Sequence, residues 1–393
     1  MKISNKVAVI IKFALLIGLV IISSLFSTMF WSEKSEKGHE LSSLIISKDI
    51  TVKEFGIKNN LSNQILEKVF KIDSDKNLQQ KVSNFNFNQK DLLFEVNRYL
   101  AIESESASKN WIKIAIKFIL WIAFIFAVYL VIRKKKLSTK VRNSIYLASV
   151  IIFGVILGSD PSPMGTIKDA VVLFATKGAI FPPRLIALSA FLIMVIVFNK
   201  SICAWGCQLG TLQDLIFRIN RKNKSKPIFK QYKIPFAFSN SIRSIFFILL
   251  SIIAFVWALD IVEFIDPFKV FKPSVISIIG WIFIGLILIF SLFVYRPWCT
   301  LFCPFGLFGW FFEKLSIFKI RVDYSKCIAC DACVKSCPST VMDSILKRKT
   351  TISDCFSCGS CIEVCPTDAI GFSSIKRDLP PNDKFKGKLM DVN

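Results

Sequence analysis

The chain has 393 residues, carries 51 Lys and Arg against 28 Asp and Glu for a formal charge of +23, and is 53% hydrophobic with 38 Phe. A mean hydropathy of +0.53 beside that charge excludes a disordered chain, a collagen and a small disulfide scaffold, and points to bilayer-spanning segments joined by basic loops. One histidine, His39, and no Cys-x-x-Cys-His motif leave no ligand set for haem, so any redox cofactor rests on the twelve cysteines, all between Cys203 and Cys365.

Six runs have the composition to cross a hydrocarbon core, which takes roughly 20 helical residues. They cover 7–31, 111–132, 143–158, 184–202, 242–259 and 275–295, the third being the shortest. The first follows Lys2 and Lys6 and reaches Trp31 without a small-x-small cleavage site, which reads as a signal anchor over 1–31.

Residues 32–110 balance 12 basic against 12 acidic groups and hold no cysteine. They read as a small extracytoplasmic helical module. Thr51 and Glu54 form a capping box, Ser62 caps a second helix through Phe70, and Asn88 a third carrying Leu92, Leu93, Val96 and Leu100. His39 reads as a solvated linker residue.

Orientation follows from the loops of a five-span membrane domain over 111–313. Residues 133–142 carry six basic groups and no acid, and 218–243 carry eight, Arg218 to Arg243, again with none. The alternate connections are nearly balanced. Lys and Arg are retained on the cytoplasmic side, so both termini are expected in the cytoplasm of a bacterial or archaeal cell, with the chain multi-pass in its cytoplasmic membrane. The basic clusters flank spans and carry no nucleic-acid motif, so the expected partner is membrane lipid and not nucleic acid.

Between the third and fourth spans, Gly158 to Thr166 leads into an apolar stretch that Thr166 caps and Gly178 ends. The loop reads first as packing, with a quinone pocket served by Asp160 or Asp169 as the functional alternative. Asp260, Glu263 and Asp266 in the next such connection read as solvated acids.

Two pairs, Cys203-Ala-Trp-Gly-Cys207 and Cys299-Thr-Leu-Phe-Cys303, each follow a span. Their separation is 96 residues at both positions, and Gly210 and Gly306 keep it. After each glycine comes an apolar stretch expected to lie at the interface: Leu212, Leu215, Ile216 and Ile219, then Phe308, Phe311, Phe312 and Leu315. This predicts a parallel internal repeat with four thiols together at the cytoplasmic membrane boundary, each pair on one helical face. Three readings stay open for these thiols: a shared metal or iron–sulfur site, a thiol/disulfide or transient copper site, and reduced structural cysteines.

The region 314–375 contains Cys327, Cys330, Cys333 and Cys337-Pro338, then Cys355, Cys358, Cys361 and Cys365-Pro366, each run matching C-x2-C-x2-C-x3-C-P. In two-cluster ferredoxins the fourth cysteine of each run ligates the other cluster. One [4Fe–4S] cluster is therefore assigned to Cys327, Cys330, Cys333 and Cys365, and the second to Cys355, Cys358, Cys361 and Cys337. A zinc pair would leave cysteines over, and residues 376–393 form a basic polar tail. The fold expected is mainly α: a polytopic membrane helical bundle of about six spans with a C-terminal α+β two-cluster ferredoxin-like domain.

Over roughly 140–370 this combination resembles the NapH/NosR/CcoG group of membrane-bound polyferredoxins. That resemblance implies electron transfer between the quinone pool or a cytoplasmic donor and a redox partner protein or reductase complex, with copper handling for oxidase assembly as the CcoG-like alternative. A redox-sensing regulator is a third reading. Gln208 stands where the family pattern has Pro, while Pro304 keeps it. Residues 32–110 are too short for the flavin domain of NosR-like members, so no FMN is expected.

Overall fold

The computed structural model describes residues 5–30, 43–45, 50–72, 78–85, 87–220, 227–346 and 354–375. His39, the tail 376–393 and Arg221 to Lys226 of the second basic loop lie outside them.

The apolar run after Asn5 folds as α1 (Asn5–Phe30). The module follows with α2 (Val52–Lys58), α3 (Asn63–Phe70) and α4 (Gln89–Ser108). The capping box forms: Glu54 N donates to Thr51 Oγ1, and Thr51 N to the Glu54 carboxylate. Ser62 caps α3, whereas Asn88 stands at the N-cap of α4 without a side-chain hydrogen bond. Val52, Phe55, Leu66, Phe70, Leu92 and Val96 give the module its own core.

Next come α5 (Trp111–Arg133) and α6 (Thr139–Ser149), the latter continued by a π-helical turn over Val150–Ile156. Helix α7 (Pro163–Lys177) is capped by Ser162 with Pro163 at its first position, and Thr166 sits inside the first turn instead of at the cap. Gly178 closes it in the left-handed conformation expected. The remaining membrane-domain helices are α8 (Pro182–Phe198), α9 (Gln208–Ile219), α10 (Phe236–Trp257), the single turn α11 (Val262–Ile265), α12 (Ile278–Phe290), α13 (Pro297–Leu301) and α14 (Pro304–Glu313). The C-terminal region adds β1 (Lys319–Val322), α15 (Ala332–Ser336), α16 (Val341–Leu346), α17 (Ser360–Glu363) and β2 (Ile370–Ser373), with β1 and β2 antiparallel and Ile320 opposite Phe372.

Among the described residues four helices are long and apolar enough to cross a membrane: Asn5–Thr28, Trp111–Arg133, Thr139–Ile156 and Phe236–Trp257. These mark a membrane protein. The runs expected as the fourth and sixth spans give α8 and α12 of only 17 and 13 residues. The chain breaks at Asn199, with φ 58°, and the turn after Ser291 ends α12; each time a cysteine motif follows.

The module and the ferredoxin-like region sit at opposite ends of α5. At the Trp111 end, Arg184 pairs with Glu105 of α4 and Phe94 of α4 lies over Gly178. At the Arg133 end, Ile317 N and Phe318 N donate to Ile196 O and Val197 O at the end of α8. Ile320, Cys333 and Phe372 share one continuous core with Trp121, Trp205 and Trp298 of the membrane domain, so the ferredoxin-like region is built into the helices.

Candidate functional site

The two ferredoxin runs repeat at an interval of 28 residues, and their backbones repeat with them. Ala329 and Asp331 of the first run, and Ser357 and Gly359 of the second, all have positive φ, between 52° and 71°. That conformation curls each loop so that its N–H groups turn inward. Cys327, Cys330, Cys333 and Cys365 line one small cavity, and Cys337, Cys355, Cys358 and Cys361 line another. Ala369 N donates to Cys365 Sγ at 3.2 Å.

These donors fit iron–sulfur cubes. Burial pushes the Cys333 thiol up to about 12 and raises Cys337 as well, and a positively charged iron core offsets that penalty on thiolates.

The two quartets differ in surroundings. Ile328 is 61% exposed beside an exposed Cys330. The Asp354–Ser360 loop is instead clamped against the membrane helices. Asp354 pairs with Lys200 at 2.6 Å and Arg243 at 2.8 Å; burial alone would raise its carboxyl, but the two cations hold it below its ordinary range. Cys355 N donates to Glu313, Trp205 Nε1 to Ser357 O at 3.2 Å, and Arg142 Nε to Cys358 O. The Phe356 ring lies 5.1 Å from the Arg296 guanidinium and 5.4 Å from Lys200 Nζ.

The Cys-x3-Cys pairs lie elsewhere than expected. Cys203 sits in a wide turn, Ile202–Gly206, and Cys207 is the N-cap of α9; Cys299 lies in α13 and Cys303 is the N-cap of α14. Neither pair shares one regular helical face, because each motif bends between its cysteines. The first pair lies level with the middle of α5, where Trp121 donates to Gly206 O at 2.9 Å. Helix α9, expected at the surface, is buried over most of its length. Irregular backbone at this depth is tolerated because protein surrounds it.

All four thiols are buried and within electrostatic reach of one another. Among the described residues no three His, Cys, Asp or Glu side chains converge closely enough to chelate a single ion.

Two arginines hold the motifs. Arg296 donates to Cys203 O and to Ala204 O at 2.8 Å, and pairs with Asp214 at 2.7 Å. Arg243 Nη1 reaches Cys299 O at 3.5 Å. Gly210 and Gly306 make room: a Cβ on either would fall 2.7 Å from the carbonyl of Cys203 or Cys299.

The motifs also touch the Gly158–Gly165 loop. Gln208 Nε2 donates to Ser159 O at 2.9 Å, and Trp298 Nε1 to Met164 Sδ at 3.3 Å. Lys117 fixes the loop by donating to the carbonyls of Gly158, Asp160 and Pro161. Beyond it opens a cavity of about 920 Å³, walled by α4, α7 and the 260–275 connection. Lys168 bridges Asp169 at 2.8 Å and Asp260 at 2.7 Å, so the two acidic connections meet instead of standing apart as solvated loops. Burial pushes the Asp266 carboxyl up to about 7.

Sequence reading missed Lys117, Lys200 and Arg296, and counted Arg142 and Arg243 as loop charges although both are fully buried. The usable signal was the repeat itself: Lys200 and Arg296 are 96 residues apart, three before the first cysteine of each motif.

Comparison with known proteins bears on these same segments. Residues 319–366 match the family model of a 4Fe-4S dicluster domain, and residues 180–227 and 276–323 each match that of a 4Fe-4S binding domain. The Escherichia coli (strain K12) protein titled "Putative electron transport protein YccM" is 30% identical over 169 residues, 40% of this chain and 46% of that protein. Two uncharacterized proteins of Methanocaldococcus jannaschii are also similar. MJ0749 is 22% identical over 150 residues, 38% of this chain and 56% of its own length, and MJ0750 is 25% identical over 175, 43% and 70%. The chain spans about half the length of the first two of these relatives. No solved structure matches. The cysteine quartets, the matched 4Fe-4S segments and the apolar helices together mark an iron–sulfur membrane protein of ferredoxin type.

Proposed function

We propose that this chain is a membrane-bound electron-transfer protein of the NapH/NosR/CcoG kind, linking the quinone pool or a cytoplasmic donor to a partner redox enzyme. The observation that carries the reading is the seating of the Asp354–Ser360 loop directly on the Cys-x3-Cys motifs, through Trp205, Arg296 and Phe356. A separate metal-delivery site would not need that contact.

Three quartets of thiols would hold [4Fe–4S] clusters: Cys327, Cys330, Cys333 and Cys365; Cys337, Cys355, Cys358 and Cys361; and Cys203, Cys207, Cys299 and Cys303. The third rests on the 4Fe-4S binding description of the two segments that contain it and on the burial of all four of its thiols. Each cluster, when bound, supplies reversible one-electron storage. The chain's own residues supply the thiolates, offset their charge with Arg243, Arg296 and Lys200, and exclude water with Trp205, Trp298 and Phe356.

An internal repeat is part of this reading. Its supports are the 96-residue interval, the two matches to one family description, and the equal approach of Gly210 and Gly306 to their cysteine carbonyls. The excess of Lys and Arg over 133–142 puts the ferredoxin end in the cytoplasm of a bacterial or archaeal cell and the module outside its cytoplasmic membrane.

Anaerobic purification with iron and sulfide analysis and low-temperature EPR tests the assignment. About twelve irons are expected per chain, falling to about eight when Cys203, Cys207, Cys299 and Cys303 are all replaced by Ser. About eight in both proteins would remove the third centre from the scheme.

A further inference from the structure

The ferredoxin-like region approaches the four buried thiols from one end of the helices, and the 920 Å³ cavity approaches them from the other. The partition is thin. Ser159 lines the cavity, its carbonyl accepts from Gln208, and Gln208 adjoins Cys207. Met164, two residues past the cavity-lining Ser162, accepts from Trp298, which adjoins Cys299. Each motif therefore touches the loop that floors the cavity. Gln208 is fully buried, and its Oε1 has no hydrogen-bond partner among the described residues.

The walls indicate what enters. Seven cationic and six acidic side chains line the cavity, among them Lys168, Asp169, Arg184, Asp260 and Glu263. Its volume lies within the range of small-molecule sites, but such sites for apolar ligands carry few charges. A lipid-soluble ring would strip water from these groups without replacing their hydrogen bonds. Asp160 and Glu263 are solvent-exposed at the cavity, which leaves it open to water.

We propose that this cavity is a second redox port, binding a water-soluble small molecule from the module side of the membrane within electron-exchange range of the four-thiol centre. The proposal rests on that quartet holding an iron–sulfur centre, as set out above. The exchange is a single electron: the molecule in the cavity is reduced by one as the thiol-held centre is oxidised by one, and no bond forms or breaks. The Gly158–Gly165 loop, pinned by Lys117, keeps molecule and thiols apart at a fixed spacing. The protein would then pass electrons from one face of the membrane to the other, with no haem needed for the crossing.

The test uses the full chain in right-side-out and inverted membrane vesicles, its centres reduced beforehand with a membrane-permeant reductant. The oxidants are ferricyanide and hexaammineruthenium(III), both membrane-impermeant and opposite in charge. Re-oxidation of iron–sulfur absorbance is expected from the module side as well as from the ferredoxin side. Val172→Trp, which fills the cavity wall, should abolish most of the module-side reaction and leave the other intact. A second readout needs no electron transfer: Ser159→Cys should react with an impermeant maleimide from the module side only, and Val172→Trp should protect it. About twelve irons with neither module-side oxidation nor labelling overturns the port and leaves the electron-transfer reading standing. About eight irons in the wild type overturns both.

Discussion

Gln213 is fully buried on α9, and Cys299 Sγ donates to its Oε1 across 3.7 Å, while its Nε2 has no hydrogen-bond partner among the described residues. Once Cys299 is a thiolate it can only accept, and the amide turns its N–H toward sulfur. Such a donor favours the more negative, reduced form of a cluster, so its loss lowers the reduction potential. Gln213→Leu should therefore shift the midpoint potential of the four-thiol centre downward by about 40 mV, the one-electron equivalent of a hydrogen bond worth roughly 1 kcal/mol. EPR-monitored titration should show the two ferredoxin centres unmoved. An unchanged midpoint in all three would mean that Gln213 does not face the centre. The second half of the repeat has Gly309 at the corresponding position, so this donor comes from one half alone. Residues of this kind were invisible to sequence reading, because Gln213 sits in an apolar stretch where Leu212, Leu215, Ile216 and Ile219 carried the pattern.

At the scale of elements, the paired cysteine runs were legible because their ligand spacing is local, and the capping box at Thr51 likewise. The depth of the Cys-x3-Cys motifs was not. An apolar run of about 20 residues reads the same whether it is one helix or a shorter helix with a turn folded back into the bundle. Helices α8 and α12 with their following turns are of the second kind. The buried charges were misread for a related reason: a count of Lys and Arg in loops cannot tell Arg243, fully buried on Asp354, from Lys233, exposed at the surface. Asp354 is what joins the ferredoxin-like region to α10 and to the break after α8. Asp354→Ala leaves Lys200 and Arg243 buried without their counter-ion, a loss of about 3–5 kcal/mol. Limited proteolysis should then cut near Cys355 while the module over 50–108 stays resistant; protection equal to wild type would show that the remaining contacts suffice.

For the whole molecule, the two ends of α5 define two environments. Residues 50–108 and 134–138 lie at opposite ends of α5, which is long and apolar enough to cross a membrane. Reporter fusions should separate them: alkaline phosphatase active when joined after Ser108, and green fluorescent protein fluorescent when joined after Lys136 or Ile375. The opposite pattern would invert the orientation and place the ferredoxin-like region outside. The ligand spacing of the two cysteine runs identified the type of cofactor. The pocket read from sequence as the functional alternative at the Gly158–Thr166 loop falls on the module-side cavity, since Asp160 and Asp169 both line it, but its other walls come from α1, α4 and the 260–275 connection, distant in sequence.

Cys207 and Cys303 each stand at the N-cap of a helix, α9 of 12 residues and α14 of 10. Both helices thus aim the positive ends of their dipoles at the same quartet of sulfurs. The thiols themselves are buried, and the charge that compensates them is built from backbone and from Arg243 and Arg296. A cluster held by the inner quartet, as proposed, should accordingly respond less to ionic strength than one held by the quartet beside exposed Cys330, which feels the screening of the surrounding electrolyte. With the proposed clusters in place, changes in salt would then tilt the driving force between the two.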